Sequence, residues 1–149
     1  MKAVAQRVKN ASLSVDGELI SSIDKGLVVF LGVKQGDVEA QAERVAYKIV
    51  NLRVFEDANG KMNLSVKDVG GEVLLVSQFT LYGDCSHGNR PSFTEAEAPE
   101  RANALYEHCA ETLKGYGIPV KKGVFGADMQ IKQSNDGPVT IILDSEDLK

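Results

Sequence analysis

The sequence predicts a single α+β domain over residues 1–149, in which mixed, curved or barrel-like β-sheets are covered by two main helices. Three observations lead to this fold class. Strand-like segments outnumber helical ones, only two stretches follow a helical period, and no Pro/Ser-rich linker divides the chain. A chain of 149 residues is also the usual size of one domain.

The first part of the chain is predicted to form four strand segments. Residues 3–8 ("AVAQRV") alternate apolar and polar side chains, as a half-buried strand does. Residues 11–15 and 18–23 flank Asp16-Gly17, a pair that suits the tight turn of a β-hairpin. Residues 26–33 ("GLVVFLGV") are continuously apolar, which is typical of a strand buried on both faces.

Two segments change to a helical period. Residues 37–50 place their apolar side chains on one stripe, with Asp37 as a fitting N-cap and Glu39 in the first turn. The second helix is predicted to begin at Pro99, since proline is tolerated best at the first helical position, and to end near Gly115. Its predicted apolar face consists of Ala102, Leu105, Tyr106, Cys109 and Leu113.

The remaining segments are strand-like. Residues 52–64 are predicted to form two short strands around Asn59-Gly60, and residues 71–81 a second buried strand. Three further strand-like stretches follow the second helix: 118–125, 128–134 and 138–144.

Composition narrows the class of partner. A net charge of -4 argues against a broad basic surface for nucleic acid, and so against DNA binding, but leaves room for a small basic patch at the end of one nucleic-acid strand. Two cysteines make no disulfide framework, the N-terminus has no signal-peptide apolar region, and no apolar run can span a bilayer. We therefore expect a cytoplasmic protein with no membrane partner. The small basic patch for the end of a nucleic-acid strand could consist of Lys121, Lys122, Arg7, Lys9 and Arg90.

The stretch "VSQFTL" (76–81) places polar residues inside an apolar strand. Strand alternation predicts Ser77 and Phe79 on one side and Gln78 and Thr80 on the other. Because buried hydroxyls and amides need partners, the cluster is either a site or a strand end that satisfies its own polar groups.

The segment "DCSHGNRPSF" (84–93) offers reactive side chains. Cys85 and His87 could form a nucleophile and base, or join Asp84 as metal ligands. No orienting acid and no fourth ligand with zinc-like spacing accompany them, so neither interpretation is favoured. Arg90, before a proline, could clamp a phosphate or carboxylate, or simply face solvent.

The stretch "KKGVFGADMQ" (121–130) suggests a place for a flat ring. Phe125 and Met129 could sandwich such a ring with the lysines toward a phosphate, although both residue types are commonly core. The sequence contains no Gly-rich phosphate loop, no Ser-His-Asp order and no paired-carboxylate signature.

Taken together, these motifs resemble the D-aminoacyl-tRNA deacylases. The resemblance rests on "SQFTL" (77–81), "RPSF" (90–93) and "NDGPVT" (135–140), supported in the same order by "QRV" (6–8), "LGV" (31–33) and "GKMN" (60–63). It covers essentially the whole chain.

The resemblance implies a cytoplasmic homodimer without metal or cofactor. Members of the family hydrolyse the ester that joins a D-amino acid to the 3′ end of tRNA, which recycles mischarged tRNA and keeps D-residues out of protein. The implied partners are D-aminoacyl-tRNA and a second copy of the chain, with no DNA and no membrane.

The family also implies roles for individual residues. The motif that holds Ser77, Gln78, Phe79 and Thr80 is the catalytic one. Phe125 and Met129 match the pocket for the terminal adenine, beside which we group Arg90 as substrate-binding. Gly137-Pro138 matches a cis peptide that reaches into the partner subunit's active site, and Arg7 matches the residue that braces it.

Two mechanisms follow from the catalytic motif. Thr80 could attack the ester directly, but it has no identifiable base in the sequence. We prefer substrate assistance, in which backbone groups bind the ester and the ribose 2′-hydroxyl helps to activate water. Exclusion of L side chains by the Gly-Pro motif would leave glycine, which has no side chain, as a substrate.

Two other functions stay open on the sequence. One is a module that binds a tRNA or nucleotide end without catalysis. The other is a hydrolase that uses Thr80 or Cys85 as a covalent nucleophile on a different ester.

Overall fold

The computed structural model describes residues 1–149 as eight strands, two α-helices and one 3-10 helix. The strands are β1 (Lys2–Val15), β2 (Glu18–Ile23), β3 (Gly26–Gly32), β4 (Phe55–Glu56), β5 (Met62–Leu64), β6 (Glu72–Ser77), β7 (Val120–Lys122) and β8 (Gln130–Asp144). The helices are α1 (Glu39–Asn51), α2 (Pro99–Gly115) and the 3-10 helix Phe79–Tyr82. No helix in the chain combines the length and the apolar character needed to cross a bilayer.

The main sheet is mixed and strongly curved. Its order is β2-β1-β3-β6-β7, and β8 pairs with the other edge of β1. β1 pairs antiparallel with β2, β3 and β8, whereas β3, β6 and β7 run parallel. β1 pairs with β3 through residues 2–8 and with β2 through residues 11–15. Both strands therefore lie along one edge of β1, opposite β8.

The two ends of the sheet approach each other. The Ser21 hydroxyl of β2 donates a hydrogen bond to the carbonyl oxygen of Lys122 in β7 at 2.5 Å. The sheet therefore curls into a nearly closed barrel that the two helices cover, which confirms the predicted fold class.

Two cores lie on opposite faces of β3 and β6. Leu27 and Leu75 belong to a cluster of 25 buried residues between the sheet and the helices. Val28 and Leu74 belong to a smaller cluster of seven residues inside the curl. Successive residues of a strand point to opposite faces, so the continuously apolar strand 26–33 is buried on both, as predicted.

The predicted hairpin turn is confirmed by its backbone. Asp16 and Gly17 have φ of +50° and +79°, which is the pattern of a primed turn between β1 and β2. The predicted pair of short strands around Asn59-Gly60 is also present as β4 and β5.

The prediction that Asp37 caps the first helix is wrong. The N-cap of α1 is Val38, whose N–H donates to the Gln41 side chain at 2.8 Å. The Asp37 carboxylate instead lies 2.8 Å from the buried ammonium of Met1 and accepts from the Lys34 N–H. A carboxylate that neutralises a buried cation is costly to move, so this contact takes precedence over capping.

α2 follows its prediction closely. It begins with Pro99 at the first turn and ends at Gly115, and all five residues of the predicted apolar face are buried. The left-handed residue that follows the helix is Gly117, with φ of +87°.

Four strand predictions need correction. The segments 3–8 and 11–15 belong to one strand, β1. The strand predicted over 71–81 ends at Ser77, so the alternation argued for 77–81 is wrong beyond that point. The strand predicted over 118–125 covers only 120–122. The stretches 128–134 and 138–144 belong to one strand, β8, because both pair with the long strand β1.

Candidate active site

A cavity lies at the carboxyl ends of the parallel strands β3 and β6. Its volume is about 540 Å³, and most of its lining is apolar. Loops that follow the carboxyl ends of parallel strands commonly build ligand sites, because several of them open on one edge. The lining residues are Leu31, Val33, Ser77, Gln78, Phe79, Thr80, Phe93, Ala96, Glu97, Ala98, Pro99, Ala102, Tyr106, Phe125, Gly126, Ala127 and Met129.

The chain changes direction where β6 meets this cavity. The Gln78 N–H still donates to the Leu31 carbonyl oxygen at 2.8 Å, but Phe79 begins a 3-10 helix. A side chain at Gly32 would bring a Cβ within 3.0 Å of the Gln78 carbonyl oxygen and of the Leu81 Cβ. A glycine on β3 thus lets the 3-10 helix pack close, and residues 77–80 all line the cavity.

The 3-10 helix leaves donors free at the cavity. The first N–H groups of a helix have no partner within it. Neither the Phe79 nor the Thr80 N–H donates to a backbone carbonyl of a turn or loop. Two adjacent backbone donors on residues that line a mostly apolar cavity are suited to bind an oxygen that carries negative charge.

The Thr80 hydroxyl has no base beside it. Its Oγ1 accepts a hydrogen bond from the Gln78 side-chain amide at 2.9 Å. The two histidines are not among the lining residues, and Glu97 is the one carboxylate that is. Threonine without a base is a poor nucleophile at neutral pH.

Glu97 is committed to other partners. Its oxygens accept from the Ala98 N–H at 2.9 Å, from the Gly36 N–H at 3.3 Å and from Arg101 Nε at 3.3 Å. The hydrogen bond from Ala98 is the largest cause that lowers the pKa of Glu97. A carboxylate held in its ionised form by three donors is a weak base, so its evident role is to order the start of α2.

Aromatic side chains form two walls. Phe125 lies against Tyr106, with ring centroids 6.1 Å apart, and Tyr106 donates from its hydroxyl to the Leu75 carbonyl oxygen at 2.7 Å. Burial raises the pKa of Tyr106, so this phenol stays a donor. At another part of the lining, Phe79 and Phe93 meet edge to face at 5.0 Å, and both are exposed.

Met129 lines the cavity and packs closely against Gly123. A Cβ on Gly123 would lie 2.6 Å from the Met129 sulfur, so glycine is needed for this close packing. Phe125 and Met129 are half-buried, and both also pack against a core cluster.

The residues of the loop 84–92 do not line the cavity. Asp84 and Ser92 close it through reciprocal backbone hydrogen bonds of 2.8 and 2.9 Å. Arg90 is exposed, makes no hydrogen bond or ion pair, and does not line the cavity. The side chains of Asp84, Cys85 and His87 do not converge as a set of metal ligands.

Gly137 and Pro138 lie on a bulge of β8. The strand pairs Gln6 with Thr140 and Val8 with Asn135, so residues 136–139 stand opposite Arg7 alone. Gly137 has φ of +138°, and its peptide bond to Pro138 is cis, as predicted. Both residues are exposed and do not line the cavity of their own chain.

Arg7 is buried beneath this bulge. Its Nε donates to the Asp136 carbonyl oxygen at 3.0 Å, and its Nη1 donates to the Val54 carbonyl oxygen at 2.7 Å. The Asp136 carboxylate is 3.5 Å from the same Nε. The guanidinium therefore connects the bulge to the segment that follows α1.

The proposed basic patch is smaller than the sequence indicated. Lys122 Nζ donates to the Glu107 carboxylate at 2.6 Å, while Lys121 is exposed and unpaired. Arg7 is buried and engaged by the bulge. Of the five cations proposed for the patch, Lys9, Arg90 and Lys121 stay exposed and without a partner.

Sequence reasoning missed three parts of the lining. These are Glu97, Phe93 as the partner of Phe79, and the first turn of α2. Pro99 marked the helix start, but nothing local indicated that the helix would open onto the residues after β6.

Comparisons with known proteins relate the chain to one family. The family model described as D-Tyr-tRNA(Tyr) deacylase matches residues 4–144. Proteins called D-aminoacyl-tRNA deacylase are 53% identical over 146 residues in Desulfitobacterium hafniense, covering 98% of each chain, and 54% identical over 148 residues in Thermotoga petrophila, covering 99% of each.

Two solved structures share the fold. One, described as "c-Myc DNA Unwinding Element Binding Protein", is 47% identical with a TM-score of 0.92 and covers 97% of this chain and 98% of its own. Another, a probable eukaryotic D-amino acid tRNA deacylase, is 15% identical with a TM-score of 0.80 and covers 95% of this chain and 97% of its own. The second likeness concerns the fold alone.

Proposed function

The chain belongs to the D-Tyr-tRNA(Tyr) deacylase family, and on that premise we propose that it hydrolyses the ester between a D-amino acid and the 3′ end of tRNA. One observation carries the proposal. Within the matched region, the segment 77–80 lines the cavity, and two adjacent N–H groups of that segment donate to no backbone carbonyl of a turn or loop. The protein is thus a carboxylic ester hydrolase that acts on aminoacyl-tRNA.

The backbone supplies the electrostatic part of the reaction. Attack on the ester carbon places negative charge on the carbonyl oxygen. The Phe79 and Thr80 N–H groups would bind that oxygen in a cavity whose walls are mostly apolar. Fixed donors in such surroundings favour the transition state over the ground state, because they need not reorganise as the charge develops.

The substrate supplies the proton chemistry. The Thr80 hydroxyl is bonded to the Gln78 amide and has no basic neighbour in the cavity lining, which disfavours an acyl-enzyme. The 2′-hydroxyl of the terminal ribose lies beside the ester in any aminoacyl-tRNA and can help to activate water. This is our preferred route because an aminoacyl ester is already reactive and needs mainly positioning.

The terminal adenine binds at the Phe125 and Met129 wall. A flat ring gains from stacking on an aromatic face and from contact with a polarizable thioether. Arg90 and Lys121 are exposed and unpaired, so they are free to contact the phosphates that follow. The patch is small, as befits recognition of one strand end.

Chirality is read by exclusion. We assign this to the Gly137-Pro138 bulge of a second copy, because the bulge is exposed and does not line the cavity of its own chain. Arg7 fixes the bulge through the Asp136 carbonyl oxygen. Backbone held in this way obstructs an L side chain without having to recognise the many shapes of D side chains.

Glycine follows from the same argument. A filter that works by collision cannot reject an amino acid without a side chain. We therefore propose that glycyl-tRNA is hydrolysed as well.

The assignment of the bulge to a second copy makes the working protein a homodimer, and we propose that it works in the cytoplasm.

The test is a deacylation assay with matched substrates. D-tyrosyl-, L-tyrosyl- and glycyl-tRNA are each incubated with the protein, and release of free amino acid is compared with the rate without protein. We expect rapid release of D-tyrosine and glycine and only the spontaneous rate for L-tyrosine. A folded protein that binds D-tyrosyl-tRNA but leaves its ester intact would favour the non-catalytic binding module. Rejection of glycine would remove the collision argument and leave the hydrolase.

A further inference from the structure

A second cluster of ligand-type side chains lies on the helices, away from the cavity. Glu39 and Glu43 are four residues apart on α1, so they lie on one face of that helix. His108 faces them from α2, with its Nε2 3.0 Å from Glu43 Oε1. One ligand atom from each of the three residues lies within 4.8 Å of the other two.

No lysine or arginine forms an ion pair with the carboxylates of this cluster. Glu39 is exposed and has no hydrogen bond or ion pair, and Glu43 has only the imidazole. Two neighbouring carboxylates of α2 are each matched by a lysine, Glu107 by Lys122 at 2.6 Å and Glu111 by Lys114 at 3.2 Å. Like charges at this helical spacing repel each other, and a cation bound between them would relieve the repulsion.

We propose that Glu39, Glu43 and His108 form a binding site for one divalent transition-metal ion of the zinc type. Imidazole nitrogen with carboxylate oxygen suits zinc and nickel, whereas magnesium and calcium prefer oxygen ligands alone. The ion takes the place of the hydrogen between His108 Nε2 and Glu43, and water completes its coordination. The neutral imidazole then carries its hydrogen on Nδ1.

The site links the two helices that cover the sheet. α1 and α2 both contribute buried side chains to the larger core. The ligands come from both helices and meet only in the folded chain, so bound metal stabilises the folded state by mass action. The cavity is lined by other α2 residues, namely Pro99, Ala102 and Tyr106, so deacylation does not depend on the ion.

The experiment compares the two histidines of the chain. Purified metal-free protein is titrated with nickel chloride, with zinc chloride and, as a hard-cation control, with magnesium chloride. Affinity is read by calorimetry and stability by Tm. All proteins carry Cys85→Ser, which removes the exposed thiol as a competing ligand. His108→Ala is the test variant, and His87→Ala is the matched control from the exposed loop.

We expect one nickel or zinc ion per chain, a rise in Tm with either ion and none with magnesium. Loss of an outer-shell partner alone typically weakens a metal site roughly 10–100-fold, so His108→Ala should weaken binding by at least that factor and abolish the rise in Tm. Glu39→Gln should weaken binding in the same direction, and His87→Ala should change nothing. Equal binding by His108→Ala and the parent, or loss of binding in His87→Ala, would overturn the proposal whatever the deacylation assay gives.

Discussion

The Arg7 guanidinium of β1 donates from Nε to the Asp136 carbonyl oxygen at 3.0 Å, beneath the exposed Gly137-Pro138 bulge. Arg7 is only 6% exposed, and its Nη1 is fixed by the Val54 carbonyl oxygen at 2.7 Å. A buried, two-ended clamp thus holds a segment that otherwise faces solvent. If the bulge is the chiral filter, its precision depends on this clamp.

Arg7→Lys should loosen the filter without removing the charge. A lysine has one ammonium and cannot reproduce the planar fork that reaches two carbonyl oxygens. We expect a lower ratio of D- to L-tyrosyl-tRNA hydrolysis and a loss of stability of about 1–3 kcal/mol, since a buried carbonyl loses its donor. Chemical denaturation and the matched deacylation assay measure the two effects. Arg44→Ala, an exposed arginine on α1, is the control and should change neither. An unchanged ratio in a folded, dimeric Arg7→Lys protein would mean that Arg7 is only structural.

Thr80→Ala should keep measurable turnover. The Thr80 hydroxyl is bonded to Gln78 and lacks a base, so we assign the chemistry to the backbone and the substrate. The fall in kcat should stay far short of the roughly million-fold loss that follows removal of a covalent nucleophile. Single-turnover release of D-tyrosine from D-tyrosyl-tRNA gives the rate, and circular dichroism confirms folding. A rate equal to the spontaneous one, or an acyl group located on Thr80 by peptide mass in the parent, would establish an essential hydroxyl.

Gly137→Ala should disturb the filter more than an equally strained glycine elsewhere. Gly137 and Gly88 have nearly the same φ, +138° and +139°. A Cβ on Gly137 would lie 2.8 Å from the Val139 nitrogen, whereas one on Gly88 would meet nothing within 4 Å. Residues other than glycine pay about 1–3 kcal/mol in this region of φ, so that cost is common to both variants. We expect Gly137→Ala to lose L-rejection or activity and Gly88→Ala to retain both. The rates at which the two dimeric variants hydrolyse D- and L-tyrosyl-tRNA are measured in parallel. Equal rates in the two variants would mean that the filter lies elsewhere.

Salt should weaken tRNA binding only gently. With a net charge of -4 and only three unpaired cations left in the proposed basic patch, we expect on the order of two to four phosphate contacts. Lys121→Ala should reduce the slope of log K against log salt by about 0.7, the value for one contact on a single strand. Lys122→Ala should change it less, because Lys122 is paired with Glu107. Filter binding over a salt series measures the slope, with duplex DNA as competitor. A slope that corresponds to about ten phosphates, or displacement by duplex DNA, would show a larger nucleic-acid surface than the described one.

The sequence predicted elements whose cause is local. The Asp16-Gly17 turn and the α2 start at Pro99 were predicted correctly because backbone preference decides both. The two-sided burial of residues 26–33 was also evident, since a continuously apolar strand requires it. The predictions failed where a partner far away in the chain competes with the local preference. Asp37 forms an ion pair with the Met1 ammonium instead of capping α1. β8 is one strand because β1 is long enough to pair with both of its halves.

The candidate site divides in the same way. The sequence by itself determined which residue types are present at 77–80, 125, 129 and 137–138, and their ordered resemblance pointed to a chemistry. Only the tertiary structure decided that residues 77–80 leave the strand for a 3-10 helix, so that all four line one cavity despite their alternation. It alone brought Glu97 and Phe93 to that cavity and left Gly137-Pro138 outside it. The physical reason is that a side chain's chemistry belongs to its residue, whereas its neighbours are set by strand pairing and packing between segments far apart in the chain.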